Sequence, residues 1–77
     1  MNWEDRISVQ PGVLTGKPVI KGTRIAVEFV VGLAVNGHSV DSVAARYRLD
    51  VEDVRACLLY AQQLVQAERI VPLASGA

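Results

Sequence analysis

Residues 16–25 combine turn-forming residues with a short apolar stretch, and they constrain the fold more than any other part of the chain. Gly16 and Gly22 mark two turns, and residues 19–20 between them have the apolar character of a short strand. Pro18 stands at the first residue of that strand, where its missing N–H does least harm. Because a short hairpin is unstable alone in water, this segment must pack against other elements. The stretch therefore predicts a β element that depends on the rest of the chain for its stability.

The whole predicted β element covers residues 5–25. Ile7 and Val9 alternate with polar residues, which gives a strand with one apolar face. Pro11 and Gly12 then indicate a turn, since proline sets φ and glycine accepts a positive φ. At this point two arrangements stay open, because the strands can pair within one chain or exchange between two chains.

Three segments of helical periodicity come next, at residues 27–36, 40–48 and 51–68. The first is apolar almost all round, which is typical of a helix covered on both faces. Gly37 ends it as the natural left-handed C-cap residue, and Ser39 is a favourable N-cap for the second. The second helix has a single apolar stripe. The pattern predicts three helices, the last two joined by a short polar turn.

The turn between the second and third helices carries its own signals. Ala44 is small enough to let a neighbouring helix cross closely, Leu49 is expected to pack between the helices, and Asp50 is the expected N-cap of the third. The third helix would measure about 27 Å at about 1.5 Å per residue, so its C-terminal half should project beyond a small core into an interface. Residues 70–77 are predicted to form a C-terminal arm and tail.

The predicted fold class is mostly α. We expect a single domain over residues 1–77, in which a small N-terminal β-hairpin element precedes a three-helix, helix-turn-helix domain of the homeodomain-like or winged type. With 51% apolar residues in 77, the chain has more apolar side chains than so small a core can bury. Part of this excess is expected to meet another chain, as a homodimer, with a different partner, or both.

The chain shows no signal for export or membrane insertion. Its first residues are acidic and lack an apolar region of the signal-peptide type. The longest apolar stretch, residues 25–35, contains Glu28 and is too short to span a bilayer. A single cysteine, Cys57, fits a reducing compartment. We therefore expect a soluble cytoplasmic protein that does not bind a membrane.

Catalytic motifs do not assemble. Residues 16–17 begin like a phosphate-binding loop, but Pro11 and Pro18 occupy positions where that motif requires glycine and Ser or Thr. His38 and Cys57 are isolated candidate ligands, so a metal site is not expected. No nucleophile, base and oxyanion donor occur together, and the acidic residues after position 49 are explained by helix capping. The sequence predicts no catalytic residue, no metal, no cofactor and no enzymatic activity.

DNA binding is a stronger hypothesis than catalysis, although eight basic residues balance eight acidic ones. Two capped helices joined by a short turn match the helix-turn-helix, whose second helix enters the major groove by its first turn. That turn would display Glu52, Asp53 and Arg55. The candidate DNA contacts are Arg46, Arg48 and Arg55 around the turn, with Lys21 and Arg24 as additions. The alternative is a trihelical scaffold whose arginines form a solvated surface.

From residue 5 to residue 61 the chain resembles the family catalogued as domain of unknown function 433. The residues that carry the resemblance form an ordered series along the chain. They are Pro11-Gly12-Val13, residues 16–25, Leu33-Ala34, Asn36-Gly37, Ala44-Arg46-Tyr47-Arg48-Leu49, Asp53-Val54-Arg55 and Leu59-Tyr60-Ala61. The resemblance implies a winged or homeodomain-like helix-turn-helix fold with an N-terminal β element.

The same resemblance implies a function. Members of this family look like antitoxins of type II toxin–antitoxin pairs, often encoded beside a PIN-like ribonuclease toxin. The first hypothesis is therefore a homodimeric antitoxin-like protein that binds and neutralises such a toxin and regulates its own operon by binding operator DNA. The chain departs from a typical antitoxin in lacking a long charged C-terminal arm. The candidate partner-binding residues are Val31, Val35, Leu59, Leu64, Ile70, Val71 and Leu73.

Two alternatives of other classes remain. One is a stand-alone helix-turn-helix regulator, which would bind duplex DNA with a steep salt dependence. The other is a dimerisation module without a nucleic-acid role.

Overall fold

The computed structural model describes residues 2–68, and it consists of a short N-terminal hairpin followed by three helices. The expectation of a mostly α fold with an N-terminal β element is confirmed. Residues 70–77, with the candidate contacts Ile70, Val71 and Leu73, lie outside the described residues. The elements are a 3₁₀ turn at Trp3–Asp5, β1 at Ile7–Ser8, a second 3₁₀ turn at Leu14–Gly16, β2 at Val19–Ile20, α1 at Val27–Val35, α2 at Val40–Tyr47 and α3 at Val51–Glu68.

The two strands pair with each other, antiparallel and within one chain. Ile7 lies opposite Ile20, and the Lys21 N–H donates to the Arg6 carbonyl at 2.8 Å. Each strand is two residues long, so the regular structure is much shorter than the predicted element over 5–25. The expected apolar face is wrong at Val9, whose side chain is 57% exposed, because β1 has already ended before this residue.

The core lies where the first half of α3 meets the hairpin, α1 and α2. α1 turns Val27 and Val30 inward, and the i, i+3 spacing puts both on one helical face. Burying a side chain of this size stabilises the fold by roughly 1.5–3 kcal/mol. The buried cluster is made of Ile7, Ile20, Val27, Val30, Val43, Ala44, Val54, Ala56 and Cys57.

The connection from α1 to α2 is a Schellman motif. Gly37 adopts a φ of +95°, which suits glycine because it has no Cβ. The His38 N–H donates to the Leu33 carbonyl at 3.1 Å, and the Gly37 N–H donates to the Ala34 carbonyl at 3.0 Å. Two carbonyls at the end of α1 are thereby satisfied. Ser39 then caps α2, since its Oγ accepts the N–H three residues further on at 3.1 Å.

The turn from α2 to α3 uses a left-handed residue that is not glycine. Arg48 has φ 57° and ψ 46°, and the next N–H, of Leu49, donates to the Ala44 carbonyl at 2.8 Å. Leu49 packs against the core from this turn, and Ala44 is buried where the helices meet. The left-handed residue reverses the chain sharply, so that α2 and α3 contact each other across Ala44 and Val54.

Replacing Arg48 with glycine is expected to stabilise the fold. An L-residue in the left-handed region is disfavoured by roughly 1–2 kcal/mol, and glycine avoids this strain while making the unfolded chain more flexible. We predict that Arg48→Gly raises the free energy of unfolding, measured by urea denaturation, by about 1 kcal/mol. The matched control is Arg46→Gly, in the regular last turn of α2, which should lower it by about 0.5–1 kcal/mol. Equal destabilisation by both variants would contradict the left-handed turn.

Candidate functional site

Three of the predicted DNA contacts surround the turn between α2 and α3. Arg46 lies in the last turn of α2, Arg48 forms the turn itself, and Arg55 lies in the first half of α3. All three residues are exposed. The structure therefore places these guanidinium groups around one turn, where a helix-turn-helix protein carries phosphate contacts.

The other two predicted contacts, Lys21 and Arg24, belong to a different element. They lie in the connection between β2 and α1, and both are exposed. The backbone nonetheless links this connection to the start of α3, because the Lys21 N–H holds the Arg6 carbonyl and the Arg6 side chain reaches Asp53.

Arg6 is a functional candidate that sequence reasoning missed. Its Nη1 donates to Asp53 Oδ1 at 2.9 Å and lies 3.6 Å from Asp50 Oδ2. The hydrogen bond to Asp53 raises the pKa of Arg6, so the guanidinium stays charged. No local pattern signals this contact, because 47 residues separate Arg6 from Asp53. The position of Arg6 directly before an apolar strand residue is the one available hint.

The start of α3 is capped differently from the expectation. Asp53 Oδ2 accepts the Asp50 N–H at 3.1 Å, so the capping side chain is Asp53, three residues further along the chain, rather than Asp50. Asp50 instead turns its carboxylate towards Arg6.

The N-terminal segment covers one face of α3. Asp53, Ala56 and Tyr60 occur at i, i+3 and i+7 and so share that face. Arg6 contacts the first, Ala56 is fully buried, and the Trp3 ring packs edge-on against Tyr60 with centroids 4.9 Å apart. The expectation that α3 displays Asp53 to a ligand is therefore wrong, because its side chain is 18% exposed and bound to Arg6.

The opposite side of α3 stays open. We define the outer α3 face by Glu52, Arg55, Leu59 and Gln62, which share one side of the helix and line a shallow depression together with Leu58. This face carries one predicted DNA contact, Arg55, and one predicted partner contact, Leu59. The two predicted sites therefore meet on one surface.

A second depression lies between α1 and α3. We define the α1–α3 groove by Val27, Val31, Tyr60, Ala61 and Leu64, with a volume of about 390 Å³. At its rim Lys17 Nζ and Glu28 Oε2 form an ion pair at 2.9 Å. The groove brings together two predicted partner contacts, Val31 and Leu64, and Leu64 remains 48% exposed.

The outward side of α1 is also apolar. Val35 is 79% exposed and Phe29 is 45% exposed, although the Phe29 ring also packs edge-on against Tyr47 with centroids 5.4 Å apart. The expectation that α1 is covered on both faces is wrong within this chain, because the described elements pack against its Val27 and Val30 side. We define the α1 outer face by Val31, Gly32 and Val35, in which Val35 lies one helical turn from each of the other two.

Cys57 is a core residue. It is fully buried in the middle of α3, and burial, assisted by the nearby negative charge of Asp53, raises the pKa of its thiol to about 12. A protonated, enclosed thiol is neither a nucleophile nor a metal ligand. Across residues 2–68, no group of three or more His, Cys, Asp or Glu side chains is arranged to hold a metal ion. Over the same residues, each helix is too short or too polar to cross a bilayer.

Comparison with known proteins shows which family the chain belongs to. Residues 7–61 match the model of a family described as "Protein of unknown function (DUF433)". The chain belongs to this family. It is also 35% identical over 57 residues to the "Uncharacterized protein y4eO" of Sinorhizobium fredii (strain NBRC 101917 / NGR234), a match that covers 73% of this chain. The chain spans about a quarter of that relative, since the match covers 26% of its length. No solved structure matches.

The environment of Cys57 predicts its reactivity. At pH 8 a thiol reagent such as DTNB should modify the native chain at least ~100-fold more slowly than a free cysteine, because the thiolate is scarce and enclosed. Unfolding in guanidinium should release one reactive thiol per chain. The folded pKa of about 12 lies above the unfolded value of 9.0, so this group weakens the fold as pH rises above about 9. Fast modification of the native chain would contradict the assigned burial.

Proposed function

We propose that this chain is an antitoxin-like binding protein that acts in the cytoplasm, where it binds and neutralises a PIN-like ribonuclease toxin. The nature of the partner comes from the resemblance of the chain to antitoxins of this family. The choice of surface comes from the fold: the partner docks on the α1 outer face and the adjoining α1–α3 groove. The observation that carries this choice is Gly32.

Gly32 lies in the middle of α1 without an internal reason to be glycine. Its φ is not left-handed, and a Cβ built on it would meet no atom within 4 Å outside the neighbouring backbone. Glycine inside a helix lowers stability by roughly 0.5–1 kcal/mol relative to alanine. The fold itself therefore gains nothing from Gly32. A partner backbone that approaches α1 closely at this point would gain from the missing side chain.

The surroundings of Gly32 support the same surface. Val35 lies one turn from both Gly32 and Val31, and Val31 also lines the groove that ends at Leu64. An apolar surface therefore extends from Gly32 at one edge through Val35 and Val31 to the groove, which has an ion pair at its rim. Apolar surface of this kind favours contact with another chain, and a residue without a side chain at its edge leaves room for a partner backbone.

A single substitution tests the proposal. We predict that Gly32→Ala raises the free energy of unfolding by about 0.5–1 kcal/mol, because alanine favours the helix and meets no neighbour. The same change should weaken toxin binding at least ~10-fold, because one clashing contact in a tight helix crossing costs about 1.4 kcal/mol or more. Stability is measured by thermal unfolding, and binding by calorimetry with a purified PIN-like ribonuclease.

The control is Gln62→Ala, an exposed change on the outer α3 face that should leave toxin binding unaltered. If the Gly32→Ala variant is stabilised and still binds as tightly as the natural chain, the partner does not dock on this face. Failure of the natural chain to bind the ribonuclease, or to relieve its toxicity in co-expressing cells, would refute the function.

DNA binding is the second candidate function, as part of operon regulation by this antitoxin-like protein. What favours it is the packing around the left-handed turn. Ala44, Leu49 and Val54 face inward between α2 and α3, and the guanidinium groups face outward. That division between an apolar inner side and a cationic outer side is typical of helix-turn-helix proteins.

Salt dependence tests this second function. We predict that the natural chain binds duplex DNA with an affinity that falls steeply as salt rises, because counterions are released from the phosphates. The variant in which Arg46, Arg48 and Arg55 are all alanine should lower the slope of log K against log salt by about 3, close to one per lost phosphate contact. A slope unchanged in a folded triple variant would exclude these arginines as contacts.

A further inference from the structure

We infer that Arg6 is the charge-compensating residue of a duplex-DNA surface, in which it neutralises the acidic start of α3 so that the helix and its turn can approach phosphates. The inference rests on the DNA-binding function proposed above. It adds to that function a residue from the N-terminal segment, outside the two helices of the helix-turn-helix.

The charges around the turn show why such a residue is needed. Residues 46–55 carry three arginines and three acids, Asp50, Glu52 and Asp53, so this segment alone has no net charge. A neutral segment is a poor phosphate-binding surface, because the favourable term comes from uncompensated cations. Arg6 adds one positive charge at the side where two of the three acids lie. With Arg6 the group has four cations and three acids, a net charge of +1, and Glu52 is the acid of this segment that forms no ion pair within residues 2–68.

The geometry turns the charge of Asp53 away from a ligand. One carboxylate oxygen of Asp53 accepts from Arg6 at 2.9 Å, and the other accepts the Asp50 N–H at 3.1 Å. Both oxygens are thus occupied, and the side chain is 18% exposed. Asp50 is 78% exposed, and its carboxylate lies 3.6 Å from the same guanidinium. Repulsion between these two acids and a phosphate is therefore reduced by one cation placed between them.

The hairpin fixes Arg6 in this position. The Lys21 N–H donates to the Arg6 carbonyl at 2.8 Å, and the neighbouring Ile7 is buried in the core opposite Ile20. Since the backbone of Arg6 is held on both sides, its guanidinium needs little ordering to reach Asp53. The same hydrogen bond holds the backbone of Lys21, an exposed cation, next to Arg6, whose side chain reaches the start of α3. The N-terminal hairpin thereby becomes a part of the DNA-binding surface and not a separate appendage.

The experiment compares four chains on one probe. The probe is a fluorescein-labelled random-sequence duplex of about 20 base pairs, and its anisotropy is titrated at ~100 mM salt, where charges within about 10 Å of each other still interact. We expect Arg6→Gln to weaken binding roughly three- to tenfold, because two carboxylates then repel the phosphates uncompensated. The triple variant Arg6→Gln, Asp50→Asn, Asp53→Asn should bind at least as tightly as the natural chain. The matched control is Lys17→Gln, which removes one positive charge beside α1 and should change binding less than about twofold.

Two further measurements keep the test decisive. Circular dichroism melting of each chain separates loss of fold from loss of charge. Should Arg6→Gln fail to fold, Asp50→Asn takes its place: this carboxylate lies 3.6 Å from the same guanidinium, so removing its charge should tighten binding by the same factor of roughly three to ten. Unchanged binding by a folded Asp50→Asn variant would show that charge at this point does not act on the duplex, and the inference would be wrong.

The outcomes distinguish the inference from the function on which it rests. If the natural chain and a folded Arg6→Gln variant bind the duplex equally, or the triple variant does not recover, Arg6 has no compensating role and DNA binding stands without it. If the natural chain binds no duplex at any salt concentration, the DNA-binding function is wrong and the inference falls with it.

Discussion

Burial of the first half of α3 is the constraint on which the rest of the structure depends. Ala56 and Cys57 have no exposed surface, and Val54 has almost none, because elements from three sides pack against these few residues. The hairpin and the Trp3 turn cover one side, and α1 and α2 cover the others. In a chain this small no second cluster of comparable burial is available within residues 2–68, so each two-residue strand and each helix is stabilised mainly through α3.

The same constraint decides which surfaces are left for function. The core occupies α3 as far as Tyr60, and beyond it Leu64 and Val65 emerge with about half or more of their surface exposed. α1 packs on the core by Val27 and Val30 and leaves Val35 outside. One apolar surface and one cationic turn therefore result from a single packing arrangement. Both surfaces include residues of α3, but the groove uses its second half and the arginines lie at its start and in the preceding turn, so the two surfaces use different residues.

Local sequence signals make much of the fold predictable. Contacts between residues that lie far apart in the sequence are not predictable in this way. Gly37 and Ser39 act on hydrogen bonds within a few residues, so the end of α1 and the start of α2 can be read from the sequence. The left-handed conformation of Arg48 carries no such signal, because arginine is an ordinary helical residue. Sequence reasoning assigns Asp53 to a ligand-facing position because its partner, Arg6, lies 47 residues away. The arginines of the candidate site are therefore predictable, and the residue that compensates their acidic neighbours is not.

Arg48 and Gly32 illustrate two different uses of an unfavourable residue. Arg48 adopts a strained conformation, but the fold benefits, since the turn it forms brings Leu49 against the core and sets α3 against α2. Glycine would serve that turn better, so an arginine there is best explained by its charge at the surface. Gly32 lowers helix stability and returns no contact within the chain. At both positions the residue that would maximise stability is absent. Arg48 instead presents an exposed side chain, and Gly32 leaves the surface of α1 without a side chain at that point. The proposed binding of another macromolecule at these surfaces would account for both.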